Sequence, residues 1–132
     1  MPIGNVPTTG FQPVDNDWLN GLAGGHNYTF QNGFTAVGTN QATALQLPDR
    51  IATLEIDTSS ASTGVALPAA LQGVNITVIN NTANNITVYP SIANNPVTAV
   101  QDTFNNAATS YTLNANTGIG FSCGKNGRWF SN

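Results

Sequence analysis

Through much of this chain apolar residues recur at every second position. Val74, Ile76 and Val78 alternate with Asn75 and Thr77, and Ile86 and Val88 alternate with Thr87 and Tyr89 ahead of Pro90. A two-residue period sends alternate side chains to opposite faces, so these runs predict half-buried β-strands. The same reading predicts strands at 26–30, 33–38, 42–47, 50–56, 110–113, 118–123 and 128–130. In the 50–56 run Ala52, Leu54 and Ile56 share one face, which leaves Glu55 and then Asp57 to the solvated face. Gln31-Asn32-Gly33 predicts a hairpin between the first two strands, the six residues Asn80 to Asn85 a longer one, and Asn126-Gly127 a third near the C-terminus. Helix is confined to a turn or two at 68–71 and 96–104, and no internal repeat is expected. The expected fold is all-β: a compact β-sandwich, jelly-roll-like, of about eight short strands.

The first 25 residues break the pattern. They hold Pro2, Pro7 and Pro13 with several glycines, and their large apolar residues stand apart without a sustained period. Proline removes backbone donors and biases its neighbours toward extended conformations. Residues 1–25 are therefore expected to form an extended N-terminal arm, and 26–132 the β-sandwich domain. Phe11, Trp18, Leu19 and Leu22 are the candidate contacts of that arm with another subunit or a larger assembly, because aromatic and large aliphatic anchors dominate contact energies.

Composition narrows the function. Only 7% of residues are charged, against about 25% in ordinary domains. Polarity comes instead from 19 Asn and 17 Thr, which suit turns and strands. Three cations and a net charge of −3 cannot supply the phosphate neutralisation that nucleic-acid binding requires. Cys123 is the single cysteine, so neither an internal disulfide nor a cysteine-based zinc cluster is expected; it alternates with Ile119 and Phe121 and reads as a small core residue. No apolar run approaches a membrane span, and the N-terminus lacks a secretory pattern, so a soluble protein made in the cytosol is expected.

Candidate chemistry is sparse. His26 has no evident nucleophile or carboxylate partner. Asp15-Asn16-Asp17 begins like a calcium loop, but Asn20 and His26 stand where an EF-hand needs glycine and a bidentate glutamate. Asp49, Glu55, Asp57 and Asp102 could include a glycosidase pair, but Glu55 and Asp57 alternate on one strand face opposite the apolar set, which suits a solvated sheet face better. Gly118, Gly120, Gly124 and Gly127 lack the Lys-Ser/Thr of a phosphate loop, and the first two suggest a crowded sheet face. No catalytic, cofactor-binding or metal-binding residue is assigned, and an enzyme is not expected. Trp18, Trp129, Tyr89 and Tyr111, with amides such as Asn84 and Asn85, are the groups a sugar-binding module would use, although a tryptophan in the last strand more often closes a core.

One stretch resembles a known family. Gly64 to Pro68, a Gly-Val-x-Leu-Pro segment, precedes the Asn-rich run Gly73 to Pro90 ending in Val-Tyr-Pro, and Gly127 to Trp129 gives a final Gly-x-Trp strand. About half the chain thus resembles the small virion β-proteins of tailed bacteriophages. Ala93-Asn94-Asn95-Pro96-Val97 departs from the family's Gly-Asp-x-Ile-Asn-Gly turn, so no loop function carries over there. Length and the arm make the chain most similar to a capsid cement, or decoration, protein. That resemblance implies a homotrimer on the capsid surface of a virion, bound to the major capsid protein, synthesised in the host cytoplasm, with no cofactor, nucleic acid or membrane as partner. The alternative is a tail-associated adhesion module that binds host glycans.

Overall fold

The computed structural model describes residues 29–132. The expected arm, residues 1–25, and the first residues of the expected domain lie outside them. Among the described residues the fold is all-β, with ten strands and no α-helix. The strands are β1 (Phe30–Thr35), β2 (Leu45–Gln46), β3 (Thr53–Thr58), β4 (Gly64–Ala66), β5 (Asn75–Asn80), β6 (Ile86–Tyr89), β7 (Thr103–Phe104), β8 (Tyr111–Leu113), β9 (Thr117–Lys125) and β10 (Arg128–Ser131). Helical geometry is limited to single 3-10 turns at Gln41–Thr43 and Asn105–Ala107, not at the two expected sites, although 96–98 does form a turn closed by Ala99 N donating to Asn95 O at 2.8 Å.

Two sheets enclose one core, but the chain does not follow a jelly roll. A six-stranded sheet has the order β1-β3-β5-β9-β10-β7 and a four-stranded sheet the order β2-β4-β6-β8. From β1 to β6 the chain changes sheet at every strand, and successive strands within a sheet pair in parallel. This is the path of a solenoid, in which each coil stacks on the one before. Register places Phe30 beside Thr53 and Thr53 beside Thr77, offsets of 23 and 24 residues, whereas Leu45, Val65 and Val88 are offset by 20 and 23. The expectation of no repeat is therefore corrected: three coils stack, with unequal lengths that blur the period.

Stacking sets apolar residues over one another. Leu54 lies beside Val78 in the large sheet and Val65 beside Val88 in the small one, all four fully buried. Pro48, Pro68 and Pro90 each close a small-sheet strand, since proline cannot extend the ladder. After the third coil the chain reverses. β8 pairs antiparallel with β6, and β9 antiparallel with β5, so the return strands cover the third coil on both sheets. Phe121, Phe104 and Trp129 fill this end of the core, with Tyr111 set edge-on to Phe121 at 85° and 5.8 Å.

Two of the three expected hairpins are absent. At Gly33 the chain continues straight through β1; φ is +81°, and three β1 residues, Gln31 excluded, span the interval that two β3 residues span opposite. That is a bulge, with Gly33 N donating to Asp57 Oδ2 at 2.6 Å. The Asn80 to Asn85 turn leads from one sheet to the other, because its polar groups bond to the preceding coil. Asn84 Nδ2 donates to Ser59 O, Ser59 Oγ to Thr82 Oγ1, and Asn81 Nδ2 to Asp57 Oδ1. The third expectation holds: β9 and β10 form an antiparallel hairpin across Asn126-Gly127, where Gly127 has φ +92°.

Candidate attachment surface

The body begins at a pinned residue. Thr29 Oγ1 accepts from Ala52 N at 2.7 Å and Thr29 O accepts from Thr53 N at 3.2 Å, so the chain enters the fold fastened beside the start of β3. Phe11, Trp18, Leu19 and Leu22, the residues expected to make contacts, lie outside the described residues. Among the described residues β1 and β2, the strands of the first coil, each have a sheet neighbour on one side only. An edge strand offers backbone donors and acceptors to a further strand, and the bulge at Gly33 limits that by twisting the edge. Phe30, at the head of β1, is 59% exposed.

Thr29 also stands on the rim of a cleft of about 440 Å³. Its walls come from the two turns that carry the chain from the small sheet to the large one, at Asp49 to Ala52 and at Pro68 to Val74, and from Asn75 and Ile76 at the start of β5. Ile51, Val74 and Leu71 give it an apolar lining, and Ile76, nearly buried, joins it to the core. Arg50 and Asp49 stand at its edge, their side chains highly exposed and 4.0 Å apart. Such an exposed contact adds little stability.

Elsewhere the polar groups are spent inside the fold. Asp102 is 1% exposed: Oδ2 accepts from Ala70 N and Oδ1 from Asn95 Nδ2, both at 2.8 Å. Asn95 Nδ2 also donates to Ala70 O, and its Oδ1 accepts from Val97 N and Thr98 N. This pair fastens the 93–102 loop to the end of the second coil. Asp57 bonds Gly33 and Asn81, as described above, and Glu55 lies half-buried on the outer face of β3, as its alternation predicts. Among the described residues no three of His, Cys, Asp and Glu are grouped as a metal site would require. Burial pushes the Cys123 thiol up from its ordinary pKa, although hydrogen bonding to the backbone acts the other way, and its Sγ donates to Lys125 O at 3.1 Å. A protonated, buried thiol is a weak nucleophile.

Of the aromatic residues weighed for sugar binding, Trp18 lies outside the described residues, and Trp129, Tyr89 and Tyr111 are engaged within the fold. Trp129 is fully buried and its Nε1 donates to Pro68 O at 3.3 Å. The Tyr89 ring lies against Gly64, where an added Cβ would come within 2.8 Å of it, and its hydroxyl donates to Thr39 O. Asn84 and Asn85 line a shallow polar cleft of about 420 Å³ with Ser62, Thr87 and Thr112, which contains no aromatic residue. At Gly120 the close approach expected of a crowded face is made within the chain, by Asn132 Nδ2 at 3.0 Å from where a Cβ would stand.

Sequence reasoning missed Asn80, Asn95 and Asp102 as the groups that close the turns. Each does stand in or beside an Asn-rich turn next to an apolar strand, which is the position where an amide can bond a turn from within. Comparison with protein-family models, with curated proteins and with solved structures found no match for the chain.

Proposed function

We propose that this chain is a non-enzymatic structural protein of a phage particle, a capsid cement protein that binds the outside of the shell and bridges capsid subunits. One observation carries the reading. Buried polar groups such as Asn80, Asn95 and Asp102 are bonded within the fold, while the edge of β1 that is open among the described residues, the exposed Phe30 and the apolar cleft adjoin the point where residues 1–28 join the body. In the proposal the stacked coils are the rigid part, and Phe11, Trp18, Leu19 and Leu22 are the anchors placed on the major capsid protein. A trimer sets three such arms around one axis, and repeated weak contacts then resist outward pressure through avidity. The resemblance at Gly64 to Pro68, Gly73 to Pro90 and Gly127 to Trp129 supports the particle assignment, and the 7% charge supports a role in contact rather than catalysis.

Deletion of residues 1–22 tests the division of labour. The shortened protein is expected to keep the β circular-dichroism signal and a cooperative unfolding transition, because Thr29 onward supplies the core. In co-sedimentation with shells stripped of the protein, it is expected to remain in the supernatant while the full chain pellets. Equal pelleting of both forms would show that the body alone attaches.

A further inference from the structure

The cleft beside Thr29 has a mainly apolar lining, and the chain itself carries apolar side chains within reach of it. We propose that, in the free protein, the cleft holds the chain's own Trp18-to-Leu22 segment in cis, sheltering the anchors that the attachment reading later assigns to the shell. The second half of that statement rests on the attachment reading; the docking does not.

Three observations converge on this occupant. The first is where the remaining chain begins: 28 residues precede Thr29, and Thr29 is pinned on the cleft's rim by its hydroxyl and its carbonyl. Leu22 lies seven residues before that point, a reach of up to about 25 Å when extended, so the segment cannot travel far from the cleft. Between them Gly24-Gly25 offers a pair without Cβ atoms at which the chain can double back over the rim. The second is chemistry. The cleft is lined by Ile51, Leu71, Val74 and Ile76 with Pro68 and Ala69, and its 440 Å³ lies in the range of sites that bury compact apolar groups. Trp18, Leu19 and Leu22 are the nearest large apolar side chains on its N-terminal side that have no place in a strand pattern. The third is energetic. A short tether supplies an effective concentration of about 1 mM, so a contact with an intrinsic Kd of only about 0.1 mM would be roughly nine-tenths occupied. That is strong enough to shelter the anchors and weak enough to yield to a larger surface.

Iodide quenching of tryptophan fluorescence tests this in solution with no particle present. The chain has two tryptophans, and Trp129 is fully buried, so iodide reports on Trp18. If docking removes about 70% of the accessible surface of Trp18, its quenching constant should fall roughly threefold below that of a peptide of residues 1–28. Ala52→Arg fills the cleft from a lining position whose side chain is exposed and should restore peptide-like quenching; Leu71→Asp, also exposed, repeats the test should the first variant unfold. The protection should not change on dilution. Quenching in the full chain equal to the peptide's, or unaltered by both variants, would overturn the proposal. Protection that disappears on dilution together with a dimer-sized species would overturn it in favour of a second copy's segment. Loss of shell binding with cleft docking intact would instead count against the attachment reading alone.

Discussion

Replacing Asn80 by alanine should cost the body about 3–4 kcal/mol, one of the two largest losses expected of any single substitution, because several buried groups lose their partner at once. Asn80 is fully buried at the end of β5, in the column that also holds Ile56. Its Nδ2 donates to the carbonyls of Asn84, Leu113 and Asn114 at 2.8, 3.2 and 3.1 Å, and its Oδ1 accepts from Thr82 N and Thr82 Oγ1 at 3.1 and 2.7 Å. One amide thus joins the large sheet to the end of β8 in the small one. Alanine leaves the buried Thr82 N–H without its partner and removes the Asn80 donor from all three carbonyls, of which Asn84 O and Asn114 O keep Thr82 Oγ1 and Thr117 Oγ1; each buried group left unsatisfied costs about 1–3 kcal/mol. In urea titrations the midpoint should fall with the slope unchanged, since the surface exposed on unfolding is the same. Asn81→Ala is the matched control: Asn81 is exposed and bonds only at the surface, to Asp57, so its loss should stay below about 1 kcal/mol. Equal effects at the two positions would remove Asn80 from its role as the clamp.

Trp129→Ala should cost about 3–5 kcal/mol for a different reason, the cavity left when a large core side chain is deleted. Among the described residues Trp129 is the largest fully buried side chain, and Phe104 of β7 lies beside it. Its indole N–H also satisfies the Pro68 carbonyl, at the strand end of the second coil. The ring therefore ties the closing hairpin to the stack, and its removal should loosen the C-terminal strands together with the 93–102 loop. Trp129→Phe separates the two contributions. It keeps most of the apolar volume and loses the hydrogen bond, so a loss of about 1–2 kcal/mol is expected. Were Trp129→Ala to shift the unfolding midpoint no more than a surface substitution does, the core described for this end would be wrong.

How far the sequence reveals this fold differs from element to element. The alternations at 74–78, 86–89 and 118–123 identify β5, β6 and β9, because a strand with one wet face writes its period into the chain. The Asn126-Gly127 hairpin is legible for the same local reason. β4 is not: Gly64, Val65 and Ala66 are all buried, so no alternation exists to be read. The connections are harder still. Asn80 to Asn85 has the composition of a hairpin turn, and only its bonds to Ser59 and Asp57 of the preceding coil send it across to the other sheet. Those partners lie more than twenty residues away, beyond the reach of turn propensities. The repeat itself is hidden by coils of unequal length, although Leu47-Pro48, Leu67-Pro68 and Tyr89-Pro90 mark the same strand end three times over. The cleft beside Thr29 is illegible for a related reason, since Ile51, Leu71 and Val74 meet only after the coils have stacked. The candidate anchors stand isolated in a proline-rich segment, a signal of what cannot join a core rather than of what binds.

In the proposed function the chain rides on the outside of a phage head. Electron microscopy of intact phage particles, labelled with an antibody raised against residues 29–132, tests this most directly. The proposal predicts label distributed over the head surface, many copies to a particle, and none on the tail. Label confined to tails or fibres would contradict it and favour an adhesive role, and particles without label would remove the protein from the virion altogether.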